Sequence, residues 1–121
     1  MNPPALAILG VAVGFALMGL TALARPAYIG SFFDVRIESI DGRNEVRAVY
    51  GGFGLAVALA LLLATQRAEW RDGIIICVSL ALAGMAGGRL FSALLERPGI
   101  WPWIFCGIEA GAAALLYSTL Q

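Results

Sequence analysis

Four long apolar stretches, separated by short polar segments, make up most of the chain. They lie near residues 5–24, 46–65, 74–95 and 102–120 and carry almost no charge. Each has roughly the 20 residues that an α-helix needs to cross about 30 Å of hydrocarbon. The pattern predicts an all-α integral membrane protein, a four-transmembrane-helix antiparallel bundle with both chain ends on one side of the bilayer.

A cleaved signal peptide is the competing interpretation of the first stretch, because residues 22–24 (Ala-Leu-Ala) resemble a cleavage site. Two features favour a transmembrane helix instead. No Lys or Arg precedes the stretch, and it is longer than a typical signal core.

The longest polar segment is a loop of about 20 residues between the first and second helices. It begins at Arg25 and Pro26, because proline lacks a backbone donor and ends the helical pattern. In residues 33–38 apolar and charged side chains alternate, which favours either a short strand or an ordinary polar loop. We call the side of the bilayer that carries this loop side A, and the opposite side, with both chain ends, side B.

The remaining polar segments predict where the later helices begin and end. Asp41 and Gly42 indicate a turn, and Asn44 is the predicted N-cap of the second helix. Residues 66–73 predict a polar turn on side B, and residues 96–99 end the third helix on side A. Short turns of this kind join antiparallel neighbours.

Aromatic residues gather at the predicted membrane boundaries, as interfacial anchors do. Those on side A are Tyr28, Phe32, Phe33, Trp101 and Trp103, and those towards side B are Trp70 and Tyr117. Side A has more arginines outside the helices than side B, and positive-inside counting therefore leans towards a cytoplasmic side A. Both orientations stay open.

Composition supports a membrane protein with one domain, residues 1–121. The chain is 60% hydrophobic and 13% charged, with a mean hydropathy of +0.85. Eight basic and eight acidic residues give no net charge, so nothing in the balance suggests a nucleic-acid partner. Histidine is absent and there is no haem, metal or nucleotide motif. We therefore expect no cofactor, no metal site, no catalytic residue and no enzymatic activity.

Two ionisable residues fall inside the predicted spans, Arg89 in the third helix and Glu109 in the fourth. Each lies 10 residues from Gly99 in the connecting turn (99 − 89 and 109 − 99). At 1.5 Å per residue, both should lie roughly 10 to 15 Å inside side A. A lone charge at that depth costs on the order of 3 kcal/mol, so the two side chains should face each other.

Other polar residues of the second and third helices approach the same end of the bundle. Arg47 and Tyr50 can reach towards the pair, with Glu45 and Glu96 at the rim. One hypothesis is a polar pocket open to side A, where Arg47 leaves an excess of positive charge that suits an anionic headgroup, a carboxylate or a quinone oxygen. The other hypothesis is an ion pair that only locks two helices together.

Small residues recur at four-residue spacing in every predicted helix. Such rows let helix backbones approach closely, inside the bundle or against another membrane protein. The glycines of these rows are Gly10, Gly14, Gly52, Gly84, Gly88, Gly107 and Gly111.

One run of residues resembles a known family. The run is Glu-x-Arg-x-x-Tyr-Gly-Gly, formed by Glu45, Arg47, Tyr50, Gly51 and Gly52, and it is followed by Gly88, Arg89 and Glu109. With these residues the chain resembles a bacterial family of small four-helix membrane proteins known only as a domain of unknown function. The resemblance covers nearly the whole chain and implies a four-helix fold in the bacterial inner membrane, without an activity. At the level of fold, the chain is also similar to small quinone-linked and thiosulfate-linked membrane subunits.

Three functions compete. The first is a non-enzymatic accessory subunit of a larger membrane complex, or a binder of a lipid or quinone-like ligand, whose partners are membrane lipids and other membrane subunits or copies of itself. The second is a small proton-coupled transporter that acts as a dimer, with Glu109 as the titrating group; small multidrug transporters place that Glu in the first helix, which is uncharged here. The third is the membrane subunit of a quinone-linked oxidoreductase, which would need a partner to carry electrons.

Overall fold

The computed structural model describes residues 2–121, which are mostly helical and contain no strand. The helices are α1 (Pro3–Ala24), α2 (Pro26–Ser31), α3 (Ile40–Val46), α4 (Phe53–Gln66), α5 (Ala68–Leu95) and α6 (Ile100–Tyr117), with a π-helical segment (Arg47–Gly52) between α3 and α4. The π segment joins α3 and α4 into one helix, Ile40–Gln66, which we call the second span. Together with α1, α5 and α6 it gives four helices long and apolar enough to cross a membrane. This confirms the predicted fold class.

The four spans pack in chain order, α1 against the second span, the second span against α5, and α5 against α6, and α6 also touches α1. At the centre of the main core lie four fully buried side chains, one from each span: Ile8, Leu61, Ile75 and Leu116. Because each span contributes one, the four helices bury a common apolar centre.

A second, smaller core lies at the side A end of the bundle. Its buried members are Ala22 of α1, Ile29 of α2 and Val46 of α3, and Phe33, Ile37 and Tyr50 pack against them. This cluster fixes α2 and the loop after it against the ends of α1 and the second span.

The predicted start of the second span is wrong. The helix begins at Ile40, where the Oγ of Ser39 accepts a hydrogen bond from the Gly42 backbone N–H at 2.9 Å. Ser39 has the extended backbone of an N-cap, and Asp41 in the first turn complements the positive helix end. Asn44 is therefore inside α3, and Asp41 and Gly42 belong to its first turn. Of the two alternatives for residues 33–38, the structure shows the loop, because these residues form turns and irregular chain and no strand.

The polar turn predicted at residues 66–73 is also wrong, because Arg67 alone separates α4 from α5. The polar residues after Arg67 form the first turn of α5. In that turn, Arg71 binds the carboxyl-terminal end of the chain. Its Nη1 lies 3.0 Å from Oδ1 of Asp72, and its Nη2 donates to the Thr119 carbonyl oxygen at 2.7 Å. A guanidinium at this position also complements the negative end of α6.

Close helix approach depends on glycines other than those of the predicted rows. A Cβ on Gly19 would lie 2.9 Å from the backbone O of Gly51 and the backbone N of Leu55, and one on Gly54 would lie 3.1 Å from the Phe15 carbonyl oxygen. Alanine does not fit at such distances without a backbone shift, so these glycines let α1 and the second span come together.

The predicted small-residue rows leave open space around them. A Cβ at any of Gly10, Gly14, Gly84, Gly88, Gly107 or Gly111 would meet nothing within 4 Å, and one at Gly52 would meet only the Arg47 carbonyl oxygen, at 3.9 Å. These glycines do not serve packing inside the bundle. Packing against another protein remains a prediction for them.

Candidate functional site

Arg89 of α5 and Glu109 of α6 form a two-point ion pair. The Arg89 Nε donates to Oε2 of Glu109 at 2.8 Å, and its Nη2 donates to Oε1 at 2.7 Å. Glu109 is 5% exposed, and the side chain of Arg89 is 24% exposed. The short link from Glu96 to Gly99 places the two residues at the same level on antiparallel helices, as their equal distance from the turn predicted.

Two aromatic rings flank the guanidinium of this pair. The Arg89 Cζ lies 5.5 Å from the ring centroid of Phe33 and 5.6 Å from that of Phe105, and the two rings are 5.2 Å apart. Cation–π contacts of this kind are worth about 0.5–2 kcal/mol each, more where water is excluded. From the sequence, Phe33 was predicted as a boundary anchor and part of the alternating stretch, and Phe105 was not predicted at the site. Its position four residues before Glu109, on the same helix face, was the available signal.

Further rings connect this pair to the side A loop. Phe32 makes edge-to-face contacts with Tyr28 at 5.0 Å, Trp101 at 5.1 Å and Phe105 at 5.8 Å. Rings in this arrangement attract each other beyond the area that they bury. The loop is therefore attached to the first turns of α6, and Phe33 is held over Arg89.

A tight turn after α2 directs Phe33 to this position. The Val35 N–H donates to the Gly30 carbonyl oxygen at 3.0 Å, and the Asp34 N–H donates to that of Ser31 at 3.4 Å. These two bonds define a Schellman motif, with Asp34 in the left-handed conformation (φ 58°) that glycine usually occupies. Gly30 cannot carry a side chain here, because a Cβ would lie 2.5 Å from the Val35 carbonyl oxygen.

A cavity of ≈190 Å³ lies among the residues of the second core. Its lining comes from α2, the loop and the second span: Ile29, Gly30, Phe33, Val35, Ile37, Val46 and Tyr50. None of these residues is charged, and Tyr50 supplies the one side-chain hydroxyl. Because Phe33 also stacks on Arg89, its ring connects the cavity to the ion pair. A larger depression of ≈370 Å³ on the same loop has charged, exposed walls that include Asp34, Arg36 and Glu38.

Arg47 takes a different position from the one expected. Its side chain is exposed, and its Nε donates to the Leu23 carbonyl oxygen at 3.0 Å. Leu23 lies in the last turn of α1, where carbonyl groups have no partner within their own helix. Arg47 thus caps α1 and does not add charge beside Glu109. Glu45 and Glu96 are exposed at the same end.

The structure therefore brings together two of the four residues predicted for the pocket. Arg89 and Glu109 touch, Tyr50 lies on the cavity wall, and Arg47 faces α1. Their use in binding remains a prediction. What the arrangement offers chemically is a compensated pair of charges, an aromatic wall and a phenol beside an apolar space.

Comparison with known proteins identifies a family without an activity. No curated protein and no solved structure is similar enough to the chain to count as a match. One family model matches residues 5–120, nearly the whole chain. The chain therefore belongs to the family described as a domain of unknown function, DUF4345.

Proposed function

We propose that this is a non-enzymatic membrane protein that binds the head of a lipid-soluble ligand at the side A end of its bundle. The observation that carries the proposal is the ≈190 Å³ cavity, whose Phe33 wall also covers the Arg89–Glu109 pair. Small-molecule sites are typically apolar clefts with a few polar groups that fix orientation, and this cavity has that character. We further place the protein in the bacterial inner membrane as a multi-pass protein, on the strength of its four apolar helices and of its resemblance to a bacterial family.

The Arg89 guanidinium has one nitrogen that the ion pair does not use. Glu109 uses the Nε and Nη2 of the guanidinium, and Nη1 is not engaged by any residue from 2 to 121. A free N–H group at membrane depth is costly unless it finds an acceptor. Arg89 does not line the cavity, so an ordered water or a lipid oxygen would satisfy this nitrogen, and the pair acts on the cavity through Phe33.

Filling the cavity tests this proposal. Val46→Phe adds a ring at a buried cavity wall, and Val49→Phe makes the same change at an exposed position three residues further on. We expect wild-type protein in nanodiscs to bind decyl-p-benzoquinone or decanoate saturably. Val46→Phe should abolish that binding, and Val49→Phe should leave it unchanged. Absence of saturable binding of both probes to wild-type protein would refute the proposal.

A second candidate function is that of an accessory subunit, and the outward glycines favour it. Eight glycines on α1, α5 and α6, six of them from the predicted rows, have open space where a side chain would stand, which suits close approach of another transmembrane helix. We expect the chain to migrate as a complex in mild detergent, and Gly84→Leu or Gly107→Leu to weaken that complex without unfolding the chain. A stable lone monomer without a copurifying subunit would contradict this candidate.

A further inference from the structure

The size of the cavity limits what its occupant can be. At ≈190 Å³ it is smaller than the 300–1,000 Å³ of typical ligand pockets. An apolar cavity of about 150 Å³ in another protein holds one benzene molecule. The space beside Tyr50 therefore suits a single substituted six-membered ring.

The charges around the cavity favour an uncharged occupant. No lining residue is charged, and the nearby Arg89 is already neutralised by two hydrogen bonds to Glu109. Arg47, which could have supplied a further positive charge, is bound to the α1 carbonyl of Leu23. An anionic head would lose its water without gaining a free counter-charge, which opposes its binding. A neutral head avoids that cost.

The polar and aromatic groups of the lining indicate which kind of neutral ring fits. The Tyr50 hydroxyl forms no hydrogen bond with any residue from 2 to 121, so it is free to donate to an oxygen. The Phe33 ring contacts Arg89 and Phe105 and also lines the cavity, where it offers a surface for offset stacking.

We infer that the ligand head is an uncharged ring bearing a carbonyl oxygen, of the quinone class, with that oxygen accepting a hydrogen bond from Tyr50 and the ring lying against Phe33. This inference rests on the proposed function, since it names the ligand class of the same cavity. It replaces the anionic headgroup and the carboxylate, which sequence analysis left open beside a quinone oxygen.

Quenching of one tryptophan gives a direct test. Trp70→Phe and Trp103→Phe leave only Trp101, whose ring is 6.2 Å from that of Phe105, next to Phe33. In nanodiscs, decyl-p-benzoquinone should quench Trp101 saturably, and an excess of decanoate or decylbenzene should not displace it. Tyr50→Phe should weaken quinone binding about tenfold, the effect of one lost hydrogen bond.

A matched variant and the alternative outcomes separate this inference from the proposed function. Tyr117→Phe makes the same change at an exposed position near side B and should have no effect. If decanoate displaces the quinone, or if only decanoate binds, the ligand class is wrong and the proposed function stands. Unchanged quinone affinity in Tyr50→Phe would refute the assigned hydrogen bond. If neither probe binds, both the inference and the proposed function fail.

Discussion

Replacing Glu109 by leucine would leave the Arg89 guanidinium without its carboxylate partner inside the bundle. The wild-type pair makes two charge-assisted hydrogen bonds, at 2.8 and 2.7 Å, and Glu109 is almost completely buried. Breaking a buried pair by removal of one partner costs about 3–5 kcal/mol, because the remaining charge is uncompensated. Since Arg89 keeps some exposure, we expect Glu109→Leu to lose about 3 kcal/mol of unfolding free energy.

The opposite single variant and the double variant complete a thermodynamic cycle. Arg89→Met should cost less than Glu109→Leu, because a lone carboxyl group can be neutralised by a proton, whereas a guanidinium stays charged. With both residues apolar no charge remains buried, so Arg89→Met/Glu109→Leu should fall within about 1 kcal/mol of wild type. The expected coupling energy is therefore at least about 2 kcal/mol.

Reversible unfolding in mixed detergent and SDS micelles, followed by circular dichroism, measures these free energies. Two results would refute the reasoning. One is a loss below about 1 kcal/mol for Glu109→Leu, which would mean that the guanidinium finds water or lipid phosphate as easily as it finds its partner. The other is a double variant as unstable as the sum of the two single variants, which would mean that the side chains do not act as a pair.

Three further predictions concern stability in the same assay. Gly19→Ala should cost about 1–3 kcal/mol, because its Cβ would press on two backbone atoms of the second span, whereas Gly14→Ala should be neutral or stabilise by up to about 1 kcal/mol. Ser79→Ala should stabilise by about 1 kcal/mol, because the buried Ser79 hydroxyl has no hydrogen-bond partner in the described part of the chain. Arg71→Met should speed hydrogen exchange of the backbone around Thr119, whose carbonyl it releases, and cost about 1–2 kcal/mol.

Each of these predictions has a result that contradicts it. Equal losses in Gly19→Ala and Gly14→Ala would mean that the two faces of α1 are equally packed. A destabilised Ser79→Ala would indicate a partner for the hydroxyl, such as an ordered water. Unchanged exchange at the carboxyl end in Arg71→Met would show that α6 holds its last residues without the arginine.

The transmembrane helices were predictable because the membrane imposes a strong and simple constraint on sequence. In a chain of this composition, long uncharged stretches are stable as membrane-spanning helices, because a helix satisfies its own backbone hydrogen-bonding groups in hydrocarbon. The helix ends were not predictable by the same means. Ser39 caps the second span ahead of the apolar stretch, and Arg67 is the single residue between α4 and α5 on side B. Both ends lie where they do because a helix can continue through polar residues once it has left the hydrocarbon.

The ion pair was predictable from depth alone, since a short hairpin makes equal distances from the turn equal depths. The rest of the candidate site was not. It depends on a loop that returns over the bundle, and that path requires Asp34 in a left-handed conformation rare outside glycine. Without this turn, nothing in the sequence places Phe33 over Arg89.

The position of Arg47 shows why counting charges does not locate a binding site in a membrane protein. From the sequence, Arg47 was expected to reach towards the Arg89–Glu109 pair and to be available to a ligand. The carbonyls at the end of α1 also need donors, and the Leu23 carbonyl receives one from Arg47 at 3.0 Å. An arginine beside a helix end therefore has two competing uses, and backbone geometry decides between them.

The run that resembles the family combines a structural role with the candidate site. Except for its first two residues, it forms the π-helical segment, Arg47–Gly52, and such segments are frequent at functional sites. Arg47 caps α1, and a Cβ on Gly51 would lie 2.7 Å from the Leu23 side chain, so both residues join α1 to the second span. Tyr50 differs from them, because its ring packs on the second core while its hydroxyl bonds to no residue from 2 to 121. That hydroxyl is therefore the polar group of the run that lies at the cavity and is free for a ligand, and Tyr50→Phe can remove it without disturbing the contacts between α1 and the second span.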